Sequence, residues 1–202
     1  MNTSRIKLPE WWPHALLPFE ELLWRRRSVR EFARRPLYLQ QVAQLLWAAQ
    51  GVSDPAGLRT APSAGALYPL ELFLVAGEVD GVLAAVYRYL PQGHELEMLG
   101  AGDRRRELAE ATFGQLFVGE APATLLVAAV FERTTRKYGE RGIRYVYMEA
   151  GHAAQNICLE CTALGLATVP MGAFRDGAAH RAVGLPAGAE PLCLLPIGHP
   201  AA

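Results

Sequence analysis

Along residues 145–164, apolar and small side chains recur at two interleaved helical spacings. Met148, Gly151, Ala154, Cys158 and Cys161 make one set, and Ala150, Ala153, Ile157 and Leu164 the other. Recurrence on more than one face, with Glu149 and Glu160 as the only full charges, predicts an α-helix wrapped by the rest of the domain. Gly165 supplies a stop. Residues 166–171 then read as a short strand running into Pro170, which has no ladder N–H. His152, Gln155 and Asn156 form a polar trio on this otherwise apolar helix. A buried helix delivering a strand, a proline and a small Gly-Ala corner suits the presentation of backbone N–H groups to a planar ligand. A core helix followed by a core strand is the plain alternative.

The same patterning places the other elements. Trp11, Trp12 and Phe19 lie among prolines within residues 8–23, which predicts a strap across the body or a partner subunit, with a short helix over 19–26. Val42, Leu45, Leu46 and Ala49 give residues 39–51 one apolar face, closed by Gly51. Residues 70–76 are continuously apolar, as in a strand buried on both faces. Residues 85–90 and 95–99 flank the turn PQGH and read as a hairpin, and Asp103 caps a helix to about residue 112. The most apolar strand spans 123–131, a charged, turn-rich segment follows over 132–145, and a last strand covers 191–198. Helices and strands intermix without βαβ alternation, so the expected class is α+β. A length of 202 residues suits an arm over 1–24 and a single domain over 25–202.

Composition narrows the functional classes. Formal net charge is zero, so no global field attracts nucleic acid or acidic lipid. Three cysteines make no disulfide framework. Cys158 and Cys161 form a CxxC in the middle of an apolar helix, where core packing fits better than redox or metal chemistry. The first residues contain no apolar signal region and no window reads as a membrane span, so a cytoplasmic protein is expected. Only Lys7 and Lys137 are lysines among twenty cationic side chains, and lysine can titrate where arginine cannot.

Two stretches carry candidate chemistry. Six arginines crowd residues 25–35 around Ser28, and a solvated charge run, a nucleic-acid patch and a phosphate clamp all remain open. The loop APSAGALYP is built from small residues that let backbone approach a flat or anionic ligand, without a GxGxxG or Walker pattern.

RRRSVREF, APSAGALYPLE and the HAAQN helix ending in VPMGAF occur in that order. Together they resemble the nitroreductase-like FMN flavoprotein family. GLRTAPSAGALYPLE, KYGERGIRYVYMEAGHAAQN and LLPIGHP are similar to its SagB-type dehydrogenase branch, and the likeness runs from about Leu22 onward. The resemblance implies a nitroreductase-like fold: a central, mostly antiparallel sheet flanked by helices around a long buried helix, in a two-fold homodimer with FMN in the interface. It implies that Arg26, Arg27, Ser28 and Arg30 hold the FMN phosphate, ribityl tail and one ring edge. Pro62, Ser63, Ala64, Gly65 and Leu67 line the flavin from the other subunit. Val169, Pro170, Met171, Gly172 and Ala173 approach its reactive edge. Lys137 and Tyr138 match a proton-handling pair of the azole-forming members, with a structural turn as the alternative. No metal is implied.

The implied activity is a two-electron FMN-dependent oxidoreductase acting on a small-molecule or peptide substrate. An NAD(P)H-dependent nitro or quinone reductase is the alternative, and an anion- or nucleic-acid-binding module on residues 25–35 is the rival from another class. Two departures stand out. Ala66 occupies a position where many members carry asparagine, and His199, Pro200, Ala201 and Ala202 stand where many carry a basic tail, so the phosphate relies on the N-terminal arginines.

Overall fold

The computed structural model describes residues 4–13 and 16–201; the parts of the expected arm at 1–3 and 14–15, and residue 202, lie outside them. In chain order the elements are β1 (Arg5–Lys7), α1 (Phe19–Arg25), β2 (Leu37–Tyr38), α2 (Leu39–Gln50), a 3-10 turn (Ala64–Ala66), β3 (Leu70–Ala76), β4 (Val79–Asp80), β5 (Ala85–Leu90) and β6 (Glu95–Ala101). Then come α3 (Arg105–Ala111), α4 (Phe117–Glu120), β7 (Ala123–Ala129), α5 (Glu132–Tyr138), α6 (Arg141–Ala163), β8 (Ala167–Thr168), α7 (Asp176–Val183) and β9 (Glu190–Gly198). Seven strands form one sheet in the order β1-β6-β5-β3-β7-β9-β8. Every neighbouring pair in it is antiparallel. The short β2–β4 pair is parallel and separate.

Alternation along the central strands explains the three layers. Leu70, Leu72, Leu74 and Ala76 of β3 face one way with Leu125 and Val127 of β7, into a core shared with α2 and α6. Phe73 and Val75 face the other way with Leu126 and Ala128, into a second core closed by α3 and α7. Both faces are covered, which is why these strands lack polar alternation. Truncating a fully buried leucine such as Leu46 or Leu125 to alanine is expected to cost about 2–5 kcal/mol.

The α+β class and the sheet agree with expectation, and several boundaries move. The charged stretch after β7 is helical: α5 uses Arg136 and Lys137 in its last turn, where cations suit the helix dipole. The central helix starts at Arg141 rather than 145 and runs 23 residues, roughly 35 Å at the usual rise. It is not wrapped. Val146, Ala150, Ala153 and Ile157 are buried, whereas Ile143, Tyr147 and Met148 stand exposed on an outer face. Asn156 donates from α6 to the Ala48 carbonyl of α2 at 3.0 Å, whereas His152 and Gln155 are exposed. Gly165 ends the helix with φ +67, and Leu166 N–H reaches back to the Cys161 carbonyl at 2.7 Å.

The strand expected over 166–171 shrinks to Ala167–Thr168, because Pro170 cannot continue the ladder. Met171 rejoins β9 through an isolated bridge to Leu194. The aromatic strap lies on its own protomer: Trp11 stacks on Trp47 at 4.2 Å, and Gln44 exchanges hydrogen bonds with the Trp12 backbone. Among the described residues no helix is long and apolar enough to cross a membrane.

Candidate functional site

The residues singled out from sequence gather in two places on α6. At one, Val29 N–H donates to the Thr168 carbonyl at 3.0 Å, which pins the Arg26–Ser28–Arg30 segment beside the corner Val169–Ala173. The same segment continues along the C-terminal residues, with Ala33 N–H on the His199 carbonyl and Ala201 N–H on the Glu31 carbonyl. Arg26 is half-buried and its charge reaches Cys158 on α6. Ser28, Arg30, Pro170, Gly172 and Ala173 are exposed, whereas Val169 and Met171 are buried. Arg27 turns back, its Nη1 donating to the Trp24 and Arg26 carbonyls at 2.8 Å.

Pro170 also lines a cavity of about 340 Å³ whose floor is small: Ala150, Gly151 and Ala154, with Tyr147 and Gln155 at the margin. A small-residue floor beside the segment that carries Arg26 and Arg30 can take a planar ring with an anionic tail. The thiols nearby do no chemistry of their own. Burial pushes Cys158 up, Cys161 well up and Cys193 up to about 11, so all three stay protonated. Among the described residues no group of His, Cys, Asp and Glu could hold a metal ion.

The second place is the loop before β3. Gly65, Ala66 and Tyr68 all have positive φ, +63, +52 and +46. Ser63 Oγ accepts Tyr68 N–H at 2.9 Å, and Arg133 Nη1 donates to the Tyr68 carbonyl at 3.2 Å, which fixes this unusual backbone. Pro62, Gly65 and Ala66 are exposed, and Ser63, Ala64 and Leu67 are partly buried. Lys137 and Tyr138 close over the loop in the same protomer. A Cβ on Gly65 would lie 2.8 Å from Tyr138 Oη and 3.0 Å from Lys137 Nζ, so a larger residue there must push the ends of these two side chains aside. Lys137 Nζ sits 5.4 Å from the Tyr138 ring centre, and Tyr138 packs edge-on against Tyr145.

Beneath the loop lies Glu149, a carboxylate on the otherwise apolar helix α6. Glu149 is 2% exposed. Burial raises its pKa to about 7, against the opposing pull of Ser63, the Arg59 charge and Gln50. Arg59 stacks on the Tyr68 ring at 4.4 Å and donates to Gln50 Oε1 at 2.8 Å. The available signal was Arg59 in GLRTAPSAG, two residues before the small-residue loop, paired with a lone carboxylate on the helix below.

The Nitroreductase family model matches residues 23–199. "Putative nitroreductase MJ1384" of Methanocaldococcus jannaschii is 44% identical over 98% of this chain and 97% of its own length. "Microcin B17-processing protein McbC" of Escherichia coli is 30% identical over 71% of this chain, which spans about half, 55%, of that protein. Among solved structures, a nitroreductase-named protein of Ralstonia eutropha superposes with a TM-score of 0.86 at 33% identity, covering 98% of this chain and 90% of that one.

Proposed function

This chain belongs to the nitroreductase family, an oxidoreductase class, and from that premise we propose that it is an FMN-dependent, SagB-type dehydrogenase working as a homodimer. The observation that carries the reading is the pinning of Arg26–Arg30 beside Val169–Ala173, next to a small-floored cavity. The residues fit the cofactor. Exposed Arg30 and Ser28 and half-buried Arg26 supply donors for a phosphate, Ala150 and Gly151 leave room for a ring, and Gly172 has open space around it. Arg27, spent on backbone carbonyls, contributes charge rather than a fork. When bound, FMN supplies a two-electron acceptor for hydride.

The exposed apolar face of α6, with Ile143, Tyr147 and Met148, supports pairing with a second copy. Pairing also brings the loop Pro62–Leu67 of one protomer to the arginine corner of another. Within one protomer the two places sit by Glu149 and Cys158, about 13 Å apart along α6 at the usual rise.

Lys137 and Tyr138 favour oxidation of a substrate over simple relay of electrons from NAD(P)H. Loss of hydride from a C–H leaves a proton on the adjoining atom; the neutral-amine form of Lys137 takes it at Nζ, and Tyr138 Oη passes it on. Lys137 is exposed, so its amine meets a substrate arriving from solvent. The processing role printed for McbC supports a peptide substrate.

The test compares FMN with riboflavin on Arg30→Ala. Losing one charge-assisted hydrogen bond costs about 1.5–3 kcal/mol, so FMN affinity is expected to fall by roughly one to two orders of magnitude, with riboflavin little changed. Equal losses for both would assign Arg30 to the fold instead.

A further inference from the structure

A cavity of about 220 Å³ between the end of α2, the start of β3 and the β5–β6 turn plays no part in the reading above. Its lining divides by chemistry. Leu70, Leu72, Leu90 and Pro91 form an apolar wall, and Arg59, Arg88 and Arg133 supply three guanidinium groups against a single carboxylate, Glu71. Glu71 is nearly buried, and its Oε1 accepts from Arg88 Nη2 at 2.8 Å and also from Arg133 Nη2. That trio keeps one net positive charge, and Arg59 adds a second.

Arg59 is committed only to neutral partners, Gln50 Oε1 and the Tyr68 ring. Its buried Nε has no acceptor among the described residues, and Gln50, which is 1% exposed and lines the same cavity, has its amide shared between Arg59 and Glu149. Glu149, on α6, compensates Arg59 only in part, because burial raises the pKa of that carboxyl to about 7 and leaves it about half ionised near neutral pH. An unfilled donor and unbalanced cations cost free energy where water reaches them only in part, and an anionic acceptor removes both costs. A free inorganic anion would answer the charge and leave the apolar wall uncovered.

We propose that this cavity binds a short aliphatic carboxylate, its head group taken by the arginines and its stem lying against the apolar wall. The site is built within one protomer and is separate from the Arg26–Arg30 corner, so it does not depend on the flavin reading.

Calorimetric titration of the purified protein with butyrate, butyramide and inorganic phosphate at constant ionic strength tests it, with flavin absorbance recorded throughout. Butyrate is expected to bind once per chain with a Kd on the order of 1 mM, a reasonable affinity for so small a ligand. Butyramide and phosphate should each bind at least about tenfold more weakly, and Arg59→Met should raise the butyrate Kd by about tenfold or more. Arg59 also supports Tyr68, so Arg88→Met carries the same expectation if the first variant does not fold. Butyrate binding no tighter than butyramide, phosphate binding as tightly as butyrate, or full affinity retained in the folded variants would each overturn the assignment.

Discussion

The arginine corner and the loop under Lys137 share α6 as a floor and differ in how their polar groups are used. At the corner, Ser28 and Arg30 are exposed, and the ties are the backbone of Val29 and Arg27 turned back on local carbonyls. At the loop nearly every side chain is spent inside the protomer. Ser63 holds Tyr68, Arg133 holds the Tyr68 carbonyl, Arg59 stacks on Tyr68, and Gly65 is closed over by Lys137 and Tyr138. The first region has its binding energy still to be realised by a ligand. The second has already used its interactions to hold a strained backbone and place two side chains, which is how a site is preorganised. Substitutions at the corner should therefore change ligand affinity, and substitutions at the loop should change rate, stability or pH response.

The largest effect expected from this contrast is at Lys137. Lys137→Ala should slow oxidation of a peptide carrying a dihydroazole ring by about 10²–10⁴-fold, the usual worth of a general base. Flavin content should be unaffected. Lys137→Arg should be equally slow, because a guanidinium keeps the charge and cannot accept the proton; an active Lys137→Arg enzyme would reduce the pair to a turn.

Next in size is the pH response of Glu149. Its folded pKa of about 7 lies above the ordinary 4.5, so the folded chain keeps a proton that the unfolded chain releases between those values. The stability this contributes is fully present below the unfolded value and is lost as pH rises through 7, by about 3 kcal/mol. Glu149→Gln removes the slope, so its thermal midpoint should gain on the native protein between pH 5 and pH 8. Parallel profiles for the two proteins would place the ionisation elsewhere.

Gly65→Ala gives the smallest effect and the one most confined to the loop. A side chain at φ +63, crowded by Tyr138 Oη and Lys137 Nζ, costs about 1–2 kcal/mol, or roughly 2–8 °C in Tm for a chain of this size. An unchanged Tm would mean both that the lysine and tyrosine swing away and that the backbone relaxes from its positive φ.

Much of this arrangement was legible in the sequence, for reasons that differ by region. Strands β3 and β7 were plain because both faces are buried and their apolar runs are unbroken. The core thiols Cys158 and Cys161 were plain because they sit mid-helix. The helix α5 was hidden: ERTTRKYG carries no apolar face to give a period, and it is held by its ends and by Arg133 reaching β3. The outer face of α6 was misjudged because large apolar residues such as Met148 read as core, although they stand exposed. Arg59, Glu71, Arg88 and Arg133 were missed since their partners are far apart in sequence, and only the fold brings Glu71 of β3 to Arg133 of α5.

The central claim is that the arginine corner exists to hold FMN. Purified protein should carry about one FMN per chain, released by denaturation and recovered when FMN is added back, with a raised thermal midpoint on rebinding. Protein that stays colourless after reconstitution, with its midpoint unmoved by excess FMN, would contradict the account.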